Sequence, residues 1–109
     1  MNICILSGRI KGNPVPKTSK GKETKVLSFV VETINPYNGG ERRDLVSCVI
    51  FNCDETLEHR LIREGDGLWV EAEGRVSSSS LKTAGQRTFN TDVILRHWTF
   101  AVVHPEGEP

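Results

Sequence analysis

Apolar and polar residues alternate along most of this chain with a period of two, the signature of strands with one buried face. From Val26 to Thr33 the alternation sets Leu27, Phe29 and Val31 on one face. From Leu45 to Asn52 it sets Val46, Cys48 and Ile50 on one face, and Leu45, Ser47, Val49 and Phe51 on the other. Further strands are read at residues 2–11, at Leu68 to Ser78 and, long and bent midway, at Arg87 to Val103. Between residues 54 and 65 the period lengthens, and Leu57, Leu61 and Ile62 form one helical stripe. Asp54 is a suitable N-cap for that short helix, and Gly65 is its stop.

The segments between are rich in turn formers. A loop is expected through Pro14 and Pro16 into the lysine-rich run from Lys17 to Lys25. Asn35 to Gly40 reads as a turn cluster, Ser77 to Gly85 as a polar hairpin tip, and 104–109 as a short flexible tail with nothing to bury. The first strand and Val70 to Val76 share a late Gly-Arg step, at Gly8-Arg9 and Gly74-Arg75. A short strand that bends at a glycine is how a small closed barrel turns a corner. Three strands, a helix and two strands therefore predict an all-β fold with one short helix. The expected architecture is a five-stranded Greek-key barrel of the oligonucleotide-binding (OB) type over residues 1–103.

Composition narrows the function. A chain of 109 residues is one domain, and a 37% hydrophobic share suits a small barrel that also buries surface in an oligomer. No apolar run approaches the ~20 residues of a membrane span, and Met1 leads directly into a strand, so neither a membrane partner nor a secretory signal is expected. Cys4, Cys48 and Cys53 form an odd set without a CxxC pair, which points to a reducing, cytoplasmic setting. His59, His97 and His104 lie too far apart in sequence to supply ligand spacing for zinc, and no metal or other cofactor is expected. No nucleophile–base pattern and no phosphate-cradling glycine loop is legible, so the chain reads as a binding protein and not an enzyme. Glu71 and Glu73 share a strand face but read as solvated charges.

Net charge is zero, yet the charges are segregated. Residues 1–43 hold eight Lys/Arg against three acids, and residues 44–75 hold three against eight. Lys17, Lys20, Lys22 and Lys25 cluster within nine residues on the first hairpin. Two readings stand for them: a phosphate-contacting arm, or a solvated loop. Trp69 and Trp98 read as structural or subunit-contact residues.

Several short motifs together resemble the bacterial single-stranded DNA-binding protein family over most of the chain. They are Met1-Asn2 with Leu6-Ser-Gly-Arg-Ile10 and Asn13-Pro14; Phe29-Val-Val31; Val49-Ile-Phe51; Gly65-Asp66; Glu73-Gly-Arg-Val76; and Gly85 to Val93. The resemblance implies an OB-fold, a homo-oligomer with a tetramer ahead of a dimer, and sequence-tolerant binding of single-stranded DNA in replication, repair or recombination. Replication or repair proteins would be further partners. It assigns base stacking to Tyr37 and Phe51, with Arg9, Lys11, Lys17, Lys20, Lys22, Lys25, Arg42, Arg43, Lys82 and Arg87 as the cations along the strand's path.

The chain also departs from the family. Leu45 stands where a second tryptophan often sits, and Ser80 or Leu81 where a third does. The chain ends Glu106-Gly-Glu-Pro109, without the family's acidic, phenylalanine-ended tail, so a short member is expected. Fewer aromatics and cations leave room for another function, an OB-fold protein-interaction module of the primosomal type whose nucleic-acid contact is weak or secondary. Tyr37 is open to a second reading as an exposed turn tyrosine, and Phe51 as a core residue.

Overall fold

The computed structural model describes residues 1–18 and 24–101, with the backbone alone at 79–83 and 87–89. The strands are β1 (Cys4–Ile10), β2 (Val15–Thr18), β3 (Lys25–Tyr37), β4 (Gly40–Phe51), β5 (Trp69–Thr83) and β6 (Gln86–Ala101). The helix α1 (Glu55–Glu64) lies between β4 and β5. Five strands close a barrel in the order β1-β5-β6-β4-β3, with β1 returning to β3 through Arg9–Glu32 and Ile10–Val31. The expected all-β OB barrel with one short helix is therefore the observed fold.

The alternation read from the sequence is the packing. Leu27, Phe29, Val31, Cys48 and Ile50 point into the core with Ile10, Val70, Ala72, Val93 and Leu95. The Phe29 and Phe100 rings meet edge to face at 6.1 Å. Asp54 caps α1 by accepting from the Leu57 N–H, and Leu61 is wholly buried beneath the barrel. The Gly65 N–H closes the helix by donating to the Leu61 carbonyl at 2.8 Å.

Closure depends on two glycines. At Gly8, β1 stops pairing only with β5 and comes up against β3; an added Cβ there would overlap the Glu32 carbonyl oxygen. At Gly74 an added Cβ would overlap the Ile94 carbonyl oxygen. Gly74 stands at the bulge of the β5–β6 ladder, where Glu73 pairs with His97 but Gly74 with Leu95. Arg96 is the extra residue. The insertion flips the pleat, so β6 buries Val93 and Leu95 before it, and half-buries Trp98 and Phe100 after it.

Two other sequence motifs turn out to be clasps. The Asn2 side-chain amide donates to the Val76 carbonyl at 2.7 Å and accepts from the Val76 N–H at 2.9 Å, extending the β1–β5 ladder by one side chain. Asp66 accepts from the Gly12 N–H at 2.8 Å, while Asn13 accepts from the Asp66 N–H at 3.0 Å. Together they tie the bend after β1 to the loop after α1.

Three expectations about the connections are corrected. The stretch expected as a loop through Pro16 contains β2, which pairs with β3 from Val15–Ser28 to Thr18–Lys25. It runs along the same edge of β3 as β1, after a break at Gly12 to Pro14. Pro16 suits this position, since a residue without an N–H is tolerated in an edge strand. The turn expected over Asn35 to Gly40 shrinks to Asn38-Gly39, both with positive φ, while Asn35, Pro36 and Tyr37 continue β3. The polar tip expected over Ser77 to Gly85 is regular ladder up to Thr83–Gln86, turning at Ala84-Gly85. Four consecutive serines, Ser77 to Ser80, carry no apolar–polar alternation, so this part of the strand left no period-two signal. The fifth strand is described to Ala101, and the expected tail 104–109 lies outside the described residues.

Candidate nucleic-acid interface

The outward face of β4 carries Leu45, Ser47, Val49 and Phe51, because Val46, Cys48 and Ile50 are turned to the core. Val26 and Ser28 of β3 sit opposite Phe51 and Val49 on that same face. On the other side β6 joins β4 in parallel at Cys48–Val93 and Val49–Ile94, bringing Asp92 and Ile94 into the surface. The result is a groove of ≈660 Å³ with this floor. Lys17 and Thr18 of β2 form one wall, and Ser77, Asn90 and Thr91 of the β5–β6 hairpin form the other.

Phe51 lies at the end of the floor, 43% exposed, so its ring is turned outward and not into the core. A planar apolar side chain presented to an open groove is a stacking surface for a base. At the centre, the Ser47 hydroxyl donates to Asp92 Oδ1 at 2.6 Å. The Asp92 charge is felt through the wall: burial first, then Cys4 and Asp92, push the Cys48 thiol up to about 12. Cys48 is therefore a neutral, packed group at any ordinary pH.

The expected cations divide into three groups. Lys17 lines the groove. Lys25 pairs with Thr18, one register on, and the pleat assigns it to the opposite face. The second group is already ion-paired, three cations against two acids. Glu32, half-buried, is held by Lys11 at 3.5 Å and by Arg43 at 3.1 Å, and Arg42 holds Asp44 at 3.0 Å. Surface pairs of this kind contribute only about 0–1 kcal/mol, so a phosphate could replace the carboxylate. In the third group only Arg9 has a described side chain. Arg9 is exposed on β1 beside Trp69 and Glu32. Lys82 and Arg87 face each other across the β5–β6 ribbon, as described by the backbone alone. Lys20 and Lys22 lie outside the described residues.

Tyr37 and Phe51 are not brought together. Tyr37 pairs with Gly40 at the tip of the β3–β4 ribbon, eleven register steps from the Val26–Phe51 pair. At ~3.3 Å per residue that is roughly 36 Å along the strand. The pleat also assigns Tyr37 to the face of Asn35 and Arg42, opposite Phe51. The Arg42 guanidinium lies 5.7 Å from the Tyr37 ring centroid, a cation–π contact. Leu45, in contrast, shares the face of Phe51 and is 60% exposed. Of the two tryptophans, Trp98 packs against the core, and Trp69 is half-buried beside Glu71.

Sequence reasoning did not single out Ser47, Asp92, Asn90 or Thr91. Ser47 was detectable as the residue between Val49 and Leu45 on the outward face. The β6 residues were not, because a two-pair parallel contact between β4 and β6 leaves no local trace in sequence.

No protein-family model matches the chain, and no curated protein matches it significantly by sequence. Among solved structures it is similar to a Plasmodium falciparum SSB complex with ssDNA. The TM-score is 0.72 at 20% identity, covering 95% of this chain and 96% of that one. At this identity the likeness establishes the fold, an OB barrel over nearly the whole length.

Proposed function

We propose that the protein binds single-stranded DNA in the groove over β3, β4 and β6, by base stacking and phosphate contacts, without catalysis. The observation that carries this reading is the open groove itself, with Phe51 presented on its floor and Lys17 on its wall. Stacking plus backbone neutralisation is how strands are held without base pairing. The fold likeness to a structure of an SSB complex with ssDNA supports the reading. A role wherever single strands are exposed, in replication, repair or recombination, follows from such binding.

The protein acts as a homo-oligomer, with a tetramer ahead of a dimer. From Cys4 to Gly8, β1 is paired on the β5 side only, and Ile3 and Ile5 are exposed beside that open edge. An unpaired edge with apolar neighbours is a surface that a second copy covers. A sedimentation mass equal to one 12.1 kDa chain at micromolar concentration would refute this.

A protein-interaction module is the second reading, favoured by one observation: Lys11, Arg42 and Arg43 are ion-paired with Glu32 and Asp44, which cancel two of their three charges. The two readings separate in an anisotropy titration of labelled oligo(dT) at two salt concentrations. Binding that weakens with salt supports the first. Absence of binding at the lower salt removes it and leaves the second.

A further inference from the structure

A carboxylate in the middle of a DNA groove is at odds with a path for phosphates. Asp92 lies on the floor, its Oδ1 fixed by the Ser47 hydroxyl at 2.6 Å. Among the described residues, the lysine that lines the groove, Lys17, stands on the wall. Negative charge on the floor and positive charge on the wall orient a strand one way: phosphates toward Lys17, base edges toward Asp92. An ionised carboxylate accepts hydrogen bonds and donates none, and Ser47 occupies one of its roughly four lone-pair sites. It therefore pairs with bases that offer N–H donors. Guanine offers N1–H and an N2 amino group side by side, and cytosine offers its N4 amino group. Thymine offers a single N3–H flanked by two carbonyl oxygens, which the carboxylate repels.

We propose that Asp92, oriented by Ser47, is a base-selecting residue of the groove, favouring guanine- and cytosine-containing single strands over thymine. The proposal rests on the groove being the single-strand site and adds to it a discrimination that stacking on Phe51 does not provide. Base discrimination by hydrogen bonding to a carboxylate has the same chemistry as acceptance from cytosine N4 in a duplex groove. Asn at this position keeps the shape and can still accept from Ser47, but it presents a donor as well as an acceptor.

The test compares a (dT-dG) repeat, oligo(dC) and oligo(dT) of equal length, bound to the wild type and to Asp92→Asn. Free strands differ in their own stacking, so the readout is the change in affinity ratio between the two proteins. Asp92→Asn should shift the ratio of (dT-dG) to oligo(dT) affinity at least about fivefold toward thymine, and the oligo(dC) ratio in the same direction. Ser47→Ala, which frees the carboxylate to rotate without changing charge, should shift both ratios the same way by less. If Asp92→Asn raises affinity for all three strands by one common factor, Asp92 is only a repulsive charge and the selectivity is refuted while the groove stands. If neither protein binds any of the strands, the groove is not a single-strand site, and the proposal fails with it.

Discussion

Replacing Phe51 separates stacking from packing. Full truncation of a buried phenylalanine costs ~3–5 kcal/mol, but this ring is 43% exposed, so Phe51→Ala should cost roughly half, about 2 kcal/mol of folding stability. Phe51→Leu retains most of the apolar volume over Val26 and loses the ring, so its folding cost should fall below ~1.5 kcal/mol. Base stacking on an aromatic is worth ~1–3 kcal/mol. Both variants should thus bind a short oligo(dT) about 5- to 150-fold more weakly. A strand of about 8 nucleotides suffices, within the range of one OB site. Tyr37→Ala is the internal comparison. It lies at the far end of the ribbon on the opposite face, so it should leave the short strand's affinity unchanged and weaken only a strand several times longer. Anisotropy of a labelled strand gives the affinities, and urea denaturation gives the stabilities. Unchanged affinity for the short strand in a folded Phe51→Leu variant would refute the stacking role. A short-strand loss in Tyr37→Ala equal to that in Phe51→Leu would refute the assignment of the site to the outward face of β4.

Lys17→Gln should flatten the slope of log affinity against log salt by about 0.7, and Lys25→Gln by much less, because the pleat places Lys25 on the other face; equal effects in a salt titration would contradict that geometry. Gly8→Ala forces a Cβ against the Glu32 carbonyl and the Val31 side chain, and should destabilise by ~1–3 kcal/mol or more in urea unfolding. Ala84, with φ +52°, sits in the first position of a two-residue turn with Gly85, so Ala84→Asn should raise stability by up to about 1 kcal/mol in the same assay. Burial raises the Cys48 thiol from an ordinary value of 9.0 to about 12, so the folded state holds its proton more tightly than the unfolded chain. That contribution is complete below pH ~9 and is lost as pH rises toward 12, with about 2 kcal/mol gone at pH 10.5. The alkaline loss of stability should be smaller by that amount in Cys48→Val, measured by urea unfolding across pH 8–10.5.

The one-dimensional pattern determined what each residue's neighbours in the chain could decide. Alternation in β3 and β4 fixed which side chains enter the core, and hence that Ser47, Val49 and Phe51 share an outward face. Asp54 and Gly65 bounded the helix because capping is a local hydrogen-bond need. The glycines at 8 and 74 marked the corners, since only a missing Cβ lets two strands approach so closely. Tertiary structure decided everything that depends on distant partners. β2 exists because β3 offers an edge for it, not because Val15-Pro-Lys-Thr18 favours a strand. Arg96 bulges out and re-aims the end of β6, a phase change that only the partner strand reveals. Lys11 and Arg43 looked like free cations in sequence, but folding brings Glu32 against them. Asp92 enters the groove through a short parallel contact between strands more than forty residues apart. Local chemistry writes the faces and ends of the elements, and charge pairing and site composition arise only when closure of the barrel sets those faces side by side.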